Sequence, residues 1–281
     1  MIASSLLRIP AFVRLGIRLD TAPAGMWLAL LAASLWPTAW WMSQRMLDGS
    51  DEPLGAFALT ALALLLWVYR RRLRAAPRLG WLALALAGAA ASTATLGQVP
   101  ALLSSLLGLL ALGAGLAAFL PGNIATTPVL GLSLLSLPLL ASLQFYAGYP
   151  LRVITAEASR WLLAAAFEVE RSGASLLVDG RLVIVDAPCS GVQMLWLGYF
   201  TACVVALHAG LRNARFLARL PAVSALVLAG NVLRNAVLTA AEASGHHLAG
   251  WAHDAVGLLV LAAVCAAIAR VMQGPHGERD V

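Results

Sequence analysis

Charge is what this chain has least of. Charged residues make up 11% of its 281 positions and hydrophobic ones 61%, against roughly 25% and roughly 45–50% in soluble domains. That balance excludes a soluble globular protein, and no polar stretch is long enough to form a large separate soluble domain. Lysine is absent, so all 19 basic side chains are arginines. In a soluble protein the net charge of +6 would point to nucleic acid. Here the arginines gather in a few short loops, as they do on the cytoplasmic side of membrane proteins, and no nucleic-acid partner is implied. Cysteine is scarce too: Cys189, Cys203 and Cys265 show no CxxC or CxxH spacing and leave one thiol over in any pairing. Neither a zinc site nor a disulfide staple is favoured, and no metal or other cofactor is expected.

What is present is a series of apolar runs. With about 20 apolar residues needed per crossing, the length allows around eight spans. Arg8, Arg14 and Arg18 precede the first run, which is long, lacks a small-residue cleavage pattern and reads as an uncleaved span. The first five spans are expected at Gly25–Met46 (with Pro37 inside), Leu54–Tyr69, Leu79–Leu96, Val99–Leu120 and Thr127–Tyr146 (interrupted by Pro138). Spans three and four, rich in Ala, Gly, Leu and Ser, have the composition that lets helices approach closely. The loop Asp48–Pro53 is acidic, whereas Arg70–Arg78 is strongly basic. An acidic loop outside and a basic loop inside put the N-terminus in the cytoplasm.

Beyond Tyr149 the character changes. Leu151–Val169 carries Leu151, Ile154, Trp161 and Leu162 at helical spacing among Arg152, Glu157, Arg160 and Glu168, the pattern of a helix lying on the outer membrane face. Ser175–Val185 has two β-rich runs about Asp179-Gly180, a strong hairpin signal; its nearly continuous apolar residues suggest packing on both faces. Spans six to eight follow at Val192–Ala209, Pro221–Ala243 and Ala252–Met272, with Arg212, Arg215 and Arg219 in a second basic loop. The fold class expected is an all-α polytopic membrane protein of about eight transmembrane helices, with an outer-face interfacial helix and a short β-hairpin before the sixth span. Both termini fall inside. Residues 1–147 form the five N-terminal spans, 148–274 a core of interfacial helix, hairpin and three spans, and 275–281 a short cytoplasmic tail.

The hairpin leads into Asp186-Ala187-Pro188-Cys189-Ser190-Gly191, which sets a thiol at the outer mouth of the bundle. In span seven, Asn231 and Arg234 share a helix face. An intramembrane arginine costs at least ~2.5–3.5 kcal/mol and needs a partner or a lined cavity. Arg234 lies about nine residues from the outer end of its span, roughly 13 Å at 1.5 Å per residue, and its side chain can rise towards the interface. His253 opens span eight on the same side, with His246 and His247 as alternatives to it. A cysteine nucleophile needs a base or cation to form thiolate, and an arginine beside it can stabilise a carbonyl oxyanion. Asp254 points about 100° away from its neighbour His253 and is a poor candidate to orient it. His208 ends span six at the opposite face, and Cys203 and Cys265 lie deep in their spans as core residues.

Ala-Pro-Cys189-Ser190-Gly191 after a hairpin, then Asn231-x-x-Arg234, then His253 at the start of the last span, resembles the exosortase/archaeosortase family of membrane cysteine transpeptidases. The resemblance is carried by roughly Leu151–Met272; Gln193 stands where members often carry other polar residues. It implies an enzyme of the PEP-CTERM-type, exopolysaccharide-associated sorting systems in the cytoplasmic (inner) membrane. Its substrates would be exported proteins ending in a short motif such as Pro-Glu-Pro, a transmembrane helix and a basic tail. These would be cleaved through a thioester and passed to a surface acceptor, a lipid or a glycan. By the same resemblance Cys189 is the nucleophile and Arg234 and His253 its catalytic partners, with Asn231, Ser190 and Gly191 at the substrate. The competing expectation is a non-enzymatic transporter or assembly scaffold in which Asn231 and Arg234 line a polar path.

Overall fold

The computed structural model describes residues 22–49, 51–184, 190–245 and 250–273. The expectations placed on Arg8, Arg14, Arg18, the 185–189 run with Cys189, His246, His247 and the 275–281 tail lie outside the described residues. Helices dominate: α1 Ala24–Ser34, α2 Trp36–Leu47, α3 Gly55–Tyr69, α4 Leu79–Ala94, α5 Ala101–Phe119, α6 Thr126–Leu135 and α7 Leu140–Leu163. Strands β1 Val169–Ser172, β2 Ser175–Val178 and β3 Arg181–Ile184 follow, then α8 Val192–His208, α9 Asn213–Ala243 and α10 Gly250–Gln273.

The chain is a mostly helical membrane protein with a small three-stranded sheet. Among the described residues three helices, α5, α9 and α10, are long and apolar enough to cross a bilayer, and a fourth span results if α6 and α7 are taken together. The expectation of eight full-length spans is not reproduced. Pro37 divides the first span into α1 and α2, because a proline in a helix interior has no N–H to give the carbonyl one turn back. Helices α3, α4 and α8 have 15, 16 and 17 residues, so α3 is about 22 Å long against a hydrocarbon core of about 30 Å.

The expected fifth span and interfacial helix are also redrawn. Pro138 breaks the chain between α6 and α7, which bend by 93°. From Leu140 the helix then runs through Pro150 to Leu163, so Tyr146 and Tyr149 sit mid-helix and the amphipathic segment is the second half of α7. A break among apolar helices leaves carbonyls that need donors. Leu135 O receives the Trp196 indole N–H at 3.1 Å, and Ser133 O the Ser136 hydroxyl at 2.6 Å.

Helix α5 is the most enclosed element, and its small residues let α4 and α2 come close. Gly88 backs onto Ala111, while Gly108 faces Thr38 and Ser92. The Ser92 hydroxyl donates to Ser104 O at 2.8 Å. Large apolar side chains such as Leu64, Leu86, Leu258 and Leu259 face outwards, the arrangement a bilayer stabilises.

The two ends of the bundle differ in charge. At one end, arginines close helix C-termini: Arg78 donates to Ala117 O, Arg70 to Trp67 O and Arg219 to Met272 O. These are the carbonyls a helix leaves unsatisfied, carrying the negative end of its dipole. Asn213 lies at the same end, accepting from the Thr127 N–H and hydroxyl and donating to the Thr126 hydroxyl. That contact ties the start of α9 to the start of α6; the helix begins at Asn213 rather than at the expected Pro221, which it accommodates in its interior.

The sheet sits at the other end. Its β2–β3 hairpin forms as expected, with Asp179 and Gly180 both at positive φ in a two-residue turn. Strand β1, which the helical reading of Leu151–Val169 missed, pairs antiparallel with β2 from Val169↔Val178 to Ser172↔Ser175. The expectation of packing on both faces is corrected: Leu176 and Val178 bury against α7 and α9, whereas Leu182 and Ile184 are exposed. Strand alternation puts neighbours on opposite faces, and one face is all the two helices cover.

One ion pair clips this sheet to α7. Glu157 is bonded by Arg160, three residues on, and by Arg171 of β1, and Arg181 of β3 donates to Glu242 O of α9 at 3.2 Å. Hydrogen bonds from Arg160 and then Arg171 hold the Glu157 carboxyl down to about 2. A depressed carboxyl stabilises the clip fully above the ordinary value near 4.5 and loses that contribution as pH falls through about 2. Amide exchange in β1 and β2, corrected for intrinsic rates, is expected to stay constant from neutral pH to about 5 and to quicken between about 4.5 and 2. In Glu157→Gln this step should vanish; a step of equal size in the variant would show that another group controls docking.

Candidate active site

The polar end of α9 meets the start of α8 through one close contact. Gly191 precedes α8 with φ +87°, in the left-handed region that glycine adopts without strain. A Cβ on it would lie 2.8 Å from both Cγ and Nδ2 of Asn231. The Asn231 amide therefore packs directly on the backbone two residues after Cys189. Asn231 is 2% exposed. Its Nδ2 donates to Thr155 Oγ1 of α7 at 3.0 Å, and its backbone carbonyl accepts from Asn235 Nδ2 at 2.8 Å. Ser159, one turn beyond Thr155, donates to Val232 O at 3.3 Å. Three helices thus converge on one amide.

Ser190 is buried at the same turn. Its hydroxyl donates to Gln144 Oε1 of α7 at 2.8 Å and accepts from the Val192 N–H at 3.4 Å. The serine links the approach to α8 with α7, while its oxygen takes one of the N–H groups that a helix start leaves over.

Arg234, half-buried on α9, lies against Gly257 of α10; a Cβ there would stand 3.2 Å from Nε and 3.4 Å from Cζ. The absence of a side chain at Gly257 makes room for the guanidinium between the helices. A cleft of about 370 Å³ opens beside it, lined by Gly191, Gln193 and Met194 of the α8 start, by Arg234, and by Asp254, Gly257 and Leu258 of α10. Arginine and glycine turn thus share one cavity. His253 is half-buried one position before Asp254 and is not among the residues lining the cleft. Adjacent helix residues diverge by about 100°, and here the carboxylate takes the cavity-facing position.

Of the candidate residues, the structure brings Ser190, Gly191, Asn231 and Arg234 to one end of α8, whereas His253 is not among the residues lining the cleft. Cys203 is buried in α8 and Cys265 half-buried in α10, where it receives the Thr201 hydroxyl at 3.5 Å. Thr155 and Gln144, which orient Asn231 and Ser190, went unnoticed in the sequence. Both sit on α7, whose continuity through Pro150 puts their partners in reach. Asp254, a poor candidate to orient His253, itself lines the cleft.

The contact between Gly191 and Asn231 makes a specific expectation. Gly191→Ala should destabilise the protein by more than the ~1–2 kcal/mol of left-handed strain, because its methyl also meets the Asn231 amide. Asn231→Ala should itself destabilise by roughly 1–3 kcal/mol by leaving Thr155 without its donor. Combined, the two should cost less than their sum in detergent unfolding; strict additivity would show that they do not touch.

The family model described as transmembrane exosortase matches residues 40–270. The match takes in most of the N-terminal helices as well as the sheet and α8–α10. No curated protein and no solved structure matches the chain. Over most of its length, from α2 to the last turns of α10, this chain belongs to the transmembrane exosortase family.

Proposed function

We propose that this exosortase is a membrane-embedded cysteine protease/transpeptidase that cleaves a C-terminal sorting signal at the outer face of the cytoplasmic membrane and transfers the exported protein to a surface acceptor. The single observation that carries the reading is the shared cleft of Gly191 and Arg234. It brings an intramembrane arginine to the turn that follows Cys189 directly in the chain. A transporter or scaffold would not need the glycine turn and the guanidinium in one cavity.

In this mechanism the Cys189 thiol gives its proton to His253, the thiolate attacks the scissile carbonyl, and the Arg234 guanidinium stabilises the oxyanion. Collapse forms the thioester and expels the amine, which takes a proton from the imidazolium of His253. An acceptor nucleophile, or water, then gives its proton to His253 and displaces the thiolate from the thioester. Asn231, Ser190 and Gly191 hold the turn and the substrate's backbone beside it. His246 and His247 are the alternative bases. The membrane arrangement proposed is eight crossings, with both termini and the arginine-rich end cytoplasmic. It is supported by arginines that close α3, α5 and α10 at one end, while Asp51, Glu52 and the sheet occupy the other. The catalytic residues are assigned to 148–274, with 1–147 as the N-terminal helices and 275–281 as a cytoplasmic tail. Helix α7 joins the first two parts without a break.

Cys189→Ala is expected to abolish processing of a reporter fused to a Pro-Glu-Pro-type sorting signal, at normal protein level. Processing that continues would overturn the cysteine mechanism. Arg234→Ala should lower turnover about 10²–10³-fold, as loss of an oxyanion donor does. Arg234→Lys should recover little of this, because a planar fork is replaced by a point charge. An Arg234→Ala enzyme with full activity would reduce the arginine to packing.

A further inference from the structure

A second cleft, of about 520 Å³, opens where the α2–α3 loop and α7 meet the first turn of α8. Its polar wall consists of Asp51, Glu52, Gln144, Ser190 and Gln193. No basic side chain lines it among the described residues. Gln193 lines this cleft and the Arg234 cleft alike, so the two lie on either side of one side chain. Ser190 in the wall is the direct neighbour of Cys189.

The loop carrying Asp51 and Glu52 is held firmly against the rest. The Asp51 side chain is fully buried beside the Arg45 guanidinium at 3.9 Å. Its Oδ1 accepts from the N–H groups of Glu52 at 2.9 Å and of Ala141, at the start of α7, at 3.2 Å. Oδ2 is buried with no hydrogen bond among the described residues. Behind the loop, Gly55 leaves no room for a Cβ, which would fall 2.4 Å from Ser136 O. Glu52, itself exposed, receives Gln193 Nε2 on its Oε2 at 2.8 Å.

This wall has a definite chemical preference. Carboxylates accept hydrogen bonds and cannot donate. An anionic group entering here would face the exposed Glu52 carboxylate, with Asp51 buried behind it beside Arg45, whereas a guanidinium or ammonium would meet the acceptor oxygens of Glu52. Across Gln193 the lining differs: the other cleft holds the guanidinium of Arg234 together with the Asp254 carboxylate.

We infer that the 520 Å³ cleft is a second substrate subsite of the same active site, taking a cationic or donor-rich side chain that flanks the scissile bond, with Glu52 as its specificity-determining residue. This rests on the function proposed above and deepens it: the N-terminal helices form half of the recognition surface. Gln193 is the positioning residue between the two halves.

The test uses full-length Cys189→Ala protein in detergent, which binds without turning over. Its probes are fluorescent peptides spanning the cleavage point of the Pro-Glu-Pro-type reporter, made with Arg, Gln or Glu at each flanking position in turn. At one flanking position the Arg peptide is expected to bind about tenfold tighter than the Glu peptide, the size of one charge-assisted hydrogen bond. Adding Glu52→Gln should bring that ratio to about one. No charge preference at any position, or the same ratio in both proteins, overturns the proposal. A collapsed fold would lose all the peptides together. In that case Glu52→Asp, which keeps the charge on a shorter stem, decides: a retained Arg preference supports the subsite and its absence overturns it. Reporter processing that survives Cys189→Ala overturns the enzyme reading instead, so the two failures are told apart.

Discussion

The packing of the Asn231 amide on the backbone of Gly191 is the constraint on which the functional end depends. Only a residue without a side chain lets α9 press so closely on the start of α8, and only a polar residue that is itself restrained can stay there. Thr155 supplies the restraint from α7. Because a buried amide without partners is costly, the three helices are tied to one another at this level. The position of the chain beside Cys189 follows from that tie.

The rest of the bundle shows how few polar groups such a protein can use and where they go. At the arginine-rich end, guanidinium groups take the last carbonyls of helices, where their charge also meets the helix dipole. In the interior, Ser92, Ser133 and Ser136 bond to nearby carbonyls, and their small size lets backbones approach. At the opposite end carboxylates, amides and the guanidinium of Arg234 gather around the first turn of α8. The sheet caps this end through Arg171 and Arg181, each reaching a different helix. Polar residues therefore close helices at one end, and at the other they both close α9 and line clefts.

Much of this was legible from local chemistry. Asp179-Gly180 between two β-rich runs could form little other than a tight hairpin, since both residues accept positive φ. The Cys189-Ser190-Gly191 turn, Asn231 and Arg234 stood out because polar residues in apolar runs carry a cost that must be offset. The path of the chain through Pro138 and Pro150 was not legible. One proline breaks the helix and bends it by 93°, the other is absorbed, and their local sequences do not separate the outcomes. Strand β1 was missed for a related reason: Val169–Ser172 gains its strand character from pairing with β2, a contact that helical periodicity in the preceding residues obscured.

What the sequence by itself determined is the class of protein, the charge asymmetry between its ends, the hairpin, and the candidate residues on α8 and α9, all of which follow from composition or from neighbours along the chain. Only the tertiary structure decided which groups face the same space. It put Asp254 rather than His253 on the cleft wall, tied Asn231 to Thr155 and Ser190 to Gln144, and brought Glu52 onto Gln193 from a loop 141 positions away. These pairings depend on helix rotation and on bends at proline. A rotation of 100° per residue makes facing a property of packing, which no count of spacing along one helix can supply.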